Sequence, residues 1–129
     1  TAQTATEDKG SLAVCLDTML ALEGIVGNTD NLLSQGKIAR EILEENLEDA
    51  RVLDLTGCSL DAILYYVNKD IPVLASMNDG NAVLLIGFNE LNTVLMDPLT
   101  GGTPFKKGMN DSTQMFAENG NRFITYMKE

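Results

Sequence analysis

Histidine is absent from this sequence, and so is tryptophan. Histidine is the side chain whose unperturbed pKa lies near neutrality, so every Ser-His-Asp or Cys-His arrangement is excluded within this chain. A lysine replaces histidine as the base of some serine hydrolases, which brings Lys9, close before Ser11, into question. Lysine works as a base only when burial lowers its pKa, and Lys9 in "TEDKGS" stands beside two acids that favour its charged form. Cysteine is scarce, with Cys15 and Cys58 alone. Without histidine they make no zinc signature, and two cysteines do not fix the redox compartment. The oxygen ligands of "NTDNLL" and "MNDSTQ" lack the order of an EF-hand loop, and capping and turn formation account for both. The glycines form no G-x-G-x-x-G or P-loop element, so neither a metal nor any other cofactor is expected.

Basic residues are also few. Nine Lys and Arg stand against nineteen Asp and Glu, a net charge of −10, which argues against nucleic acid or an anionic membrane surface as a partner and serves solubility. No apolar run approaches the roughly 20 residues of a membrane span, so direct membrane insertion is not expected. The chain opens at Thr1 rather than methionine and shows no signal peptide; it reads as a piece of a longer protein from which an anchor or export signal could have been removed.

What is present describes one domain covering residues 1–129, with a helical half followed by a strand half. "SLAVCLDTMLALEG" sets Leu12, Cys15, Leu16, Met19, Leu20 and Leu22 at mostly helical spacing, with Ser11 as N-cap and Gly24 as stop. "GKIAREILEENLEDA" puts Ile38, Ile42, Leu43 and Leu47 on one stripe. "RVLDL" is a short buried-strand candidate, and "CSLDAILYYVNKD" is a helix from a Ser59 cap. "PVLASM", "AVLLIGF" and "TVLMD", broken by the turn chemistry of "NDGN" and "NELN", read as an antiparallel meander. "GGTPFKKGMNDS" reads as a surface loop with a solvated lysine pair. "MNDSTQMFAENG" is a short helix capped near Asn110 or Asp111, and "NRFITYM" is a last strand. The fold class is α+β, with N-terminal helices packed on an antiparallel sheet. Leu16, Leu20, Val83, Leu85 and Phe123 are expected in the core.

Cys15 reads as a small core hydrophobe, with a displaced nucleophile as the alternative. Cys58 is expected beneath the helix that follows it, and a Cys15–Cys58 disulfide is a further option that depends on their Cα distance. Tyr65 and Tyr66 read as core, or one of them as the wall of a groove. Asp97 caps the turn before Pro98 whatever else it does.

Three passages together resemble a known family. Gln3, then "SLAVCLDTMLALEG", then "IPVLASMNDGNAVLLIGFNELNTVLMDPLTG" follow the order of C39-type, papain-like cysteine peptidase domains. In that family a glutamine precedes an Asp/Glu-Cys-Gly step opening a helix. A Pro-Val strand later leads to Gly-His-Ala-Val-Val, a turn and an Asp-Pro step. The resemblance covers nearly the whole chain, and its second half is the specific part. It implies a papain-like fold, with the nucleophile position on Ser11 (or Lys9, if the loop is longer), the base position on Asn81, the orienting carboxylate on Asp97 and the oxyanion amide on Gln3. Cys15 falls one helical turn later. The base is thus replaced by a residue that cannot titrate, although Asn81 can still hydrogen-bond Asp97.

The expectation is a pseudoprotease, a catalytically inactive C39-like domain. It would bind an extended peptide or protein segment in a groove between helices and sheet lined by Ser11, Asn81 and Asp97. The alternatives are an active peptidase using Cys15 or Ser11 with a base other than histidine, and an assembly module with a vestigial groove. The family occurs in bacteriocin-processing transporters and in surface-linked bacterial proteins. That points to a larger protein at the bacterial cell surface, or alternatively to the cytoplasmic face of a transporter.

Overall fold

The computed structural model describes residues 9–129; Gln3 lies outside them. Helix α1 (Ser11–Leu22) is followed by α2 (Thr29–Ser34), α3 (Ala39–Asn46), strand β1 (Ala50–Asp54) and α4 (Leu60–Val67). Then come β2 (Val73–Ser76), β3 (Ala82–Phe88), β4 (Asn92–Met96), β5 (Phe105–Gly108), α5 (Met109–Glu118) and β6 (Arg122–Lys128). The strands form one six-stranded sheet in the order β1-β6-β2-β3-β4-β5, with every pairing antiparallel. No described helix is long and apolar enough to cross a membrane.

The strand alternation sorts side chains onto two faces. Leu74, Ala82, Leu84, Met96 and Tyr126 meet α1 and α3 through Cys15, Leu16, Met19, Leu20, Ile42 and Leu43. Their neighbours Val73, Ala75, Val83, Leu85, Leu95 and Phe123 meet α4 and α5 through Leu60, Ile63, Leu64 and Phe116. All five residues expected in the core are buried, but they serve two cores: Leu16 and Leu20 on one face, Val83, Leu85 and Phe123 on the other. Helix α1 is the central one. Its residues 13–16 are all buried, because it packs on β3 while α2 and α3 cover it from outside.

Several local expectations change. Ser11 is not the cap of α1; Gly10 is, with extended backbone and no side-chain cap, and Ser11 is the first helical residue. Gly24 does end the helix, at φ +78°, with the Ile25 N–H bonding the Leu20 carbonyl at 2.9 Å in a Schellman closure. Ile38 is 58% exposed, since it caps α3 by donating its N–H to the Glu41 carboxylate instead of joining the stripe. The β1 strand is an edge with two of its five residues exposed and none fully buried, not a buried strand. Ser59 caps α4 as its sequence implies, accepting the Ala62 N–H. Neither Asn110 nor Asp111 caps α5; Gly108 does. The supposed loop around Lys106 and Lys107 contains the edge strand β5, and "TDNLLS" is the short helix α2.

Candidate functional site

Helix α1 points its first turn at the start of β3. The Ser11 hydroxyl donates to the Asn81 side-chain oxygen at 2.9 Å and accepts the Ala82 N–H at 3.0 Å. One turn later on the same face, the Cys15 thiol faces the Ala82 carbonyl at 3.6 Å. The Ala82 peptide therefore ties two side chains of α1, one through each of its polar groups. Asn81 reaches this place because "NDGN" closes the β2–β3 hairpin. Gly80 takes φ +87°, the Met77 N–H bonds the Asn81 carbonyl at 2.8 Å, and the Asp79 carboxylate accepts the Asn81 N–H at 3.0 Å. That N–H, and then the Asn81 side chain, hold the Asp79 carboxyl below its usual range.

Asp97 follows β4 and caps the next turn: its carboxylate accepts the Leu99 N–H at 2.9 Å, and its carbonyl takes the N–H of Thr100 and of Gly102. Burial, and then the negative charge of Asp97, push the Cys15 thiol up to about 12. Asp97 is therefore near enough to act on α1. Among the described residues no hydrogen bond joins it to Asn81, whose side chain faces Ser11 and Asp79 instead.

Ser11 and Asn81 are thus in contact, with Asp97 acting on the same stretch of α1. Ser11 is 2% exposed, so it is no groove wall; Asn81 and Asp97 are half-buried. Four surface cavities are lined by other residues. Lys9 forms an ion pair with Asp17, whose other oxygen accepts the Thr29 N–H and hydroxyl at 2.9 and 2.7 Å. Cys15 and Cys58 are both free and belong to opposite faces of the sheet, which rules out the bridge between them. Tyr66 packs against both cores, whereas Tyr65 is 55% exposed, edge-on to Tyr66 and under the Lys69 ammonium.

Two features escaped the sequence reading. The Asp17 tie between α1 and α2 was signalled by an acid inside an otherwise apolar helix. The double role of the Ala82 peptide was signalled only by the four-residue spacing of Ser11 and Cys15.

No protein-family model matches the sequence, and no curated protein matches it either. Solved structures do. A crystal structure from Bacillus anthracis assigned as a C39-like peptidase superposes with a TM-score of 0.81 over 100% of this chain and 96% of its own, at 17% identity. The N-terminal peptidase C39-like domain of the toxin secretion ATP-binding protein from Vibrio parahaemolyticus gives 0.69 over 94% of this chain and 98% of its own, at 16% identity. The chain has the C39-like peptidase fold. At these identities the likeness is one of fold.

Proposed function

We propose that this chain is a catalytically inactive C39-like domain whose work is to bind a peptide or protein segment. The observation that carries the reading is the Ser11–Asn81 hydrogen bond, at the helix start and strand start where the resemblance puts nucleophile and base. A cysteine peptidase needs a thiol and a neighbouring group that takes its proton. Here a hydroxyl faces a carboxamide, which accepts a hydrogen bond but has no titration near neutrality. The hydroxyl is also held from its other side by the Ala82 N–H. Cys15 offers no substitute nucleophile, because a buried thiol raised to about 12 stays protonated at neutral pH. Binding then falls to the half-buried surface by Asn81 and Asp97.

A broad peptide-cleavage screen should show no turnover. In the folded state Cys58, which is half-buried, should alkylate before Cys15. The acid form of Cys15 is the favoured one in the fold, so its labelling should rise only as pH climbs toward about 12. Cleavage that disappears in Ser11→Ala or Cys15→Ala would overturn the inactive reading.

A further inference from the structure

We propose that a groove beside the Asp97 turn takes a short extended peptide in which an aliphatic side chain adjoins a basic one; this rests on the reading of the domain as a peptide binder. The groove holds about 280 Å³ and is lined by Thr18 and Leu22 of α1, Ile86 of β3, Met96 of β4, Pro72 and Asp70, together with Gly102 and Pro104. It adjoins the Asp97 turn through Met96, the preceding residue, and Gly102, whose N–H bonds the Asp97 carbonyl at 3.0 Å. That volume suits one or two side chains rather than a folded partner. Ile86 is the extra residue where the β3–β4 register shifts between Leu85 and Gly87, a bulge of the kind that re-aims a side chain.

Asp70 supplies the charge. Among the groove's described lining residues it is the one ionisable side chain, and no lysine or arginine stands with it. Its neighbour Lys69 sits over the Tyr65 ring, 5.0 Å from the centroid. The backbone adds a second observation. Asp70 follows α4 at φ +60°, with the Ile71 N–H bonding the Tyr66 carbonyl, a left-handed helix end that favours glycine. The corresponding ends of α1, α2 and α5 carry Gly24, Gly36 and Gly120 at φ +78°, +92° and +84°. Aspartate takes this left-handed region elsewhere in the chain, at Asp49 with φ +54°, and at Asp70 it sets a carboxylate at the helix end that borders the groove. An apolar lining with one anionic group selects a ligand with the complementary pair, and the chain's net charge of −10 draws a cationic one in.

The test is an NMR titration of the whole chain with the acetylated, amidated tripeptides Leu-Lys-Leu, Leu-Gln-Leu and Leu-Glu-Leu. Leu-Lys-Leu should shift the backbone amides of Thr18, Ile86 and Met96. At low salt it should bind about three- to fivefold more tightly than Leu-Gln-Leu, the scale of one exposed charge pair. Asp70→Asn should remove the preference for lysine over glutamine. Asp70→Gly should remove it too while leaving the chain at least as stable. Equal binding of the lysine and glutamine peptides overturns this inference and leaves peptide binding standing, as do shifts confined to Asp79 and Asn81. No shift with any of the three at millimolar concentration overturns both.

Discussion

On the face covered by α4 and α5, Phe116 and Phe123 meet edge-on at 5.4 Å between ring centroids within a cluster of aliphatic side chains. On the face covered by α1 and α3 the packing is crossed by side-chain hydrogen bonds: Ser11 to Asn81 and Ala82, Cys15 to Ala82, Thr29 to Asp17, and Tyr126 to Glu23 at 2.7 Å. Apolar contact is non-directional and tolerates volume-conserving exchange. A buried hydrogen bond is directional, and a lost partner leaves a desolvated group behind. The α4/α5 face has such bonds too, between the buried Thr93 and Ser112 hydroxyls at 2.7 Å and from the Thr125 hydroxyl to the Pro72 carbonyl at 2.9 Å. They lie apart from its aromatic pair, whereas those of the other face fix α1 against the start of β3 in one register. The candidate site belongs to the α1 face. Its polar pair ties helix to strand at the two positions to which the resemblance points.

The largest effect should come from the aromatic pair of the α4/α5 face. Phe123 is fully buried, and Phe123→Ala should lower the free energy of unfolding by about 3–5 kcal/mol. Chemical denaturation measures this, and the Asn81 side-chain amide signal in the native state should keep its position. A loss under about 1 kcal/mol would mean that Phe123 does not anchor the packing of this face.

Ser11→Ala comes next. It removes the hydroxyl that satisfies the buried Ala82 N–H and the Asn81 oxygen together, at a cost of about 1–3 kcal/mol. Asn81→Ala should cost less, because Asn81 is half-buried and the Ser11 hydroxyl still accepts from Ala82. Equal costs for the two would place the weight on the side-chain pair rather than on the tie between helix and strand. Thermal melts of the two variants side by side distinguish these outcomes.

The central architecture was legible because its signals are periodic. The apolar runs of β2, β3, β4 and β6 and the helical spacing of α1 and α4 each state their own period, and the turn residues of "NDGN" state the break. The short elements were not legible. Helix α2 is one and a half turns with Thr29 its one buried residue, so it presents no apolar stripe. Strand β5 carries Lys106 and Lys107 in succession, because an edge strand with solvent beside it need not alternate. Ser11 was readable as a residue of interest, but its role was not: a serine at a helix start normally caps it, and only the approach of β3 redirects its hydroxyl. The sequence leaves Asn81 able to hydrogen-bond Asp97. The Asp79 carboxylate and the Ser11 hydroxyl hold it instead, and such competition between near neighbours is invisible to a motif.

The smallest effect, and the sharpest on the site itself, concerns placing a thiol and an imidazole at the two positions where Ser11 meets Asn81. Asp97 already raises the Cys15 pKa by its charge, so a negative potential reaches the first turns of α1. Asn81→His would set an imidazole where the carboxamide now meets Ser11. A carboxylate nearby favours the protonated ring and raises its pKa. Combined with Ser11→Cys, an imidazolium beside the new thiol should draw that cysteine below its usual ~8.5. One unit of lowering gives about tenfold more thiolate at neutral pH. The measurement is the alkylation rate of Ser11→Cys with asparagine or histidine at position 81, using a small reagent because residue 11 is 2% exposed. Both proteins share that restricted access, so their ratio reports the electrostatics alone. Adding Asp97→Asn to the pair should reduce the gain if Asp97 orients the ring. Asp79→Asn should do so instead if the hairpin carboxylate has taken that role, as its hold on Asn81 suggests. Equal rates with asparagine and histidine, in a chain that remains folded, would show that the start of β3 does not present a base to the start of α1. Peptide turnover is not needed for the outcome, since reactivity of the thiol tests the geometry of the pair and nothing beyond it.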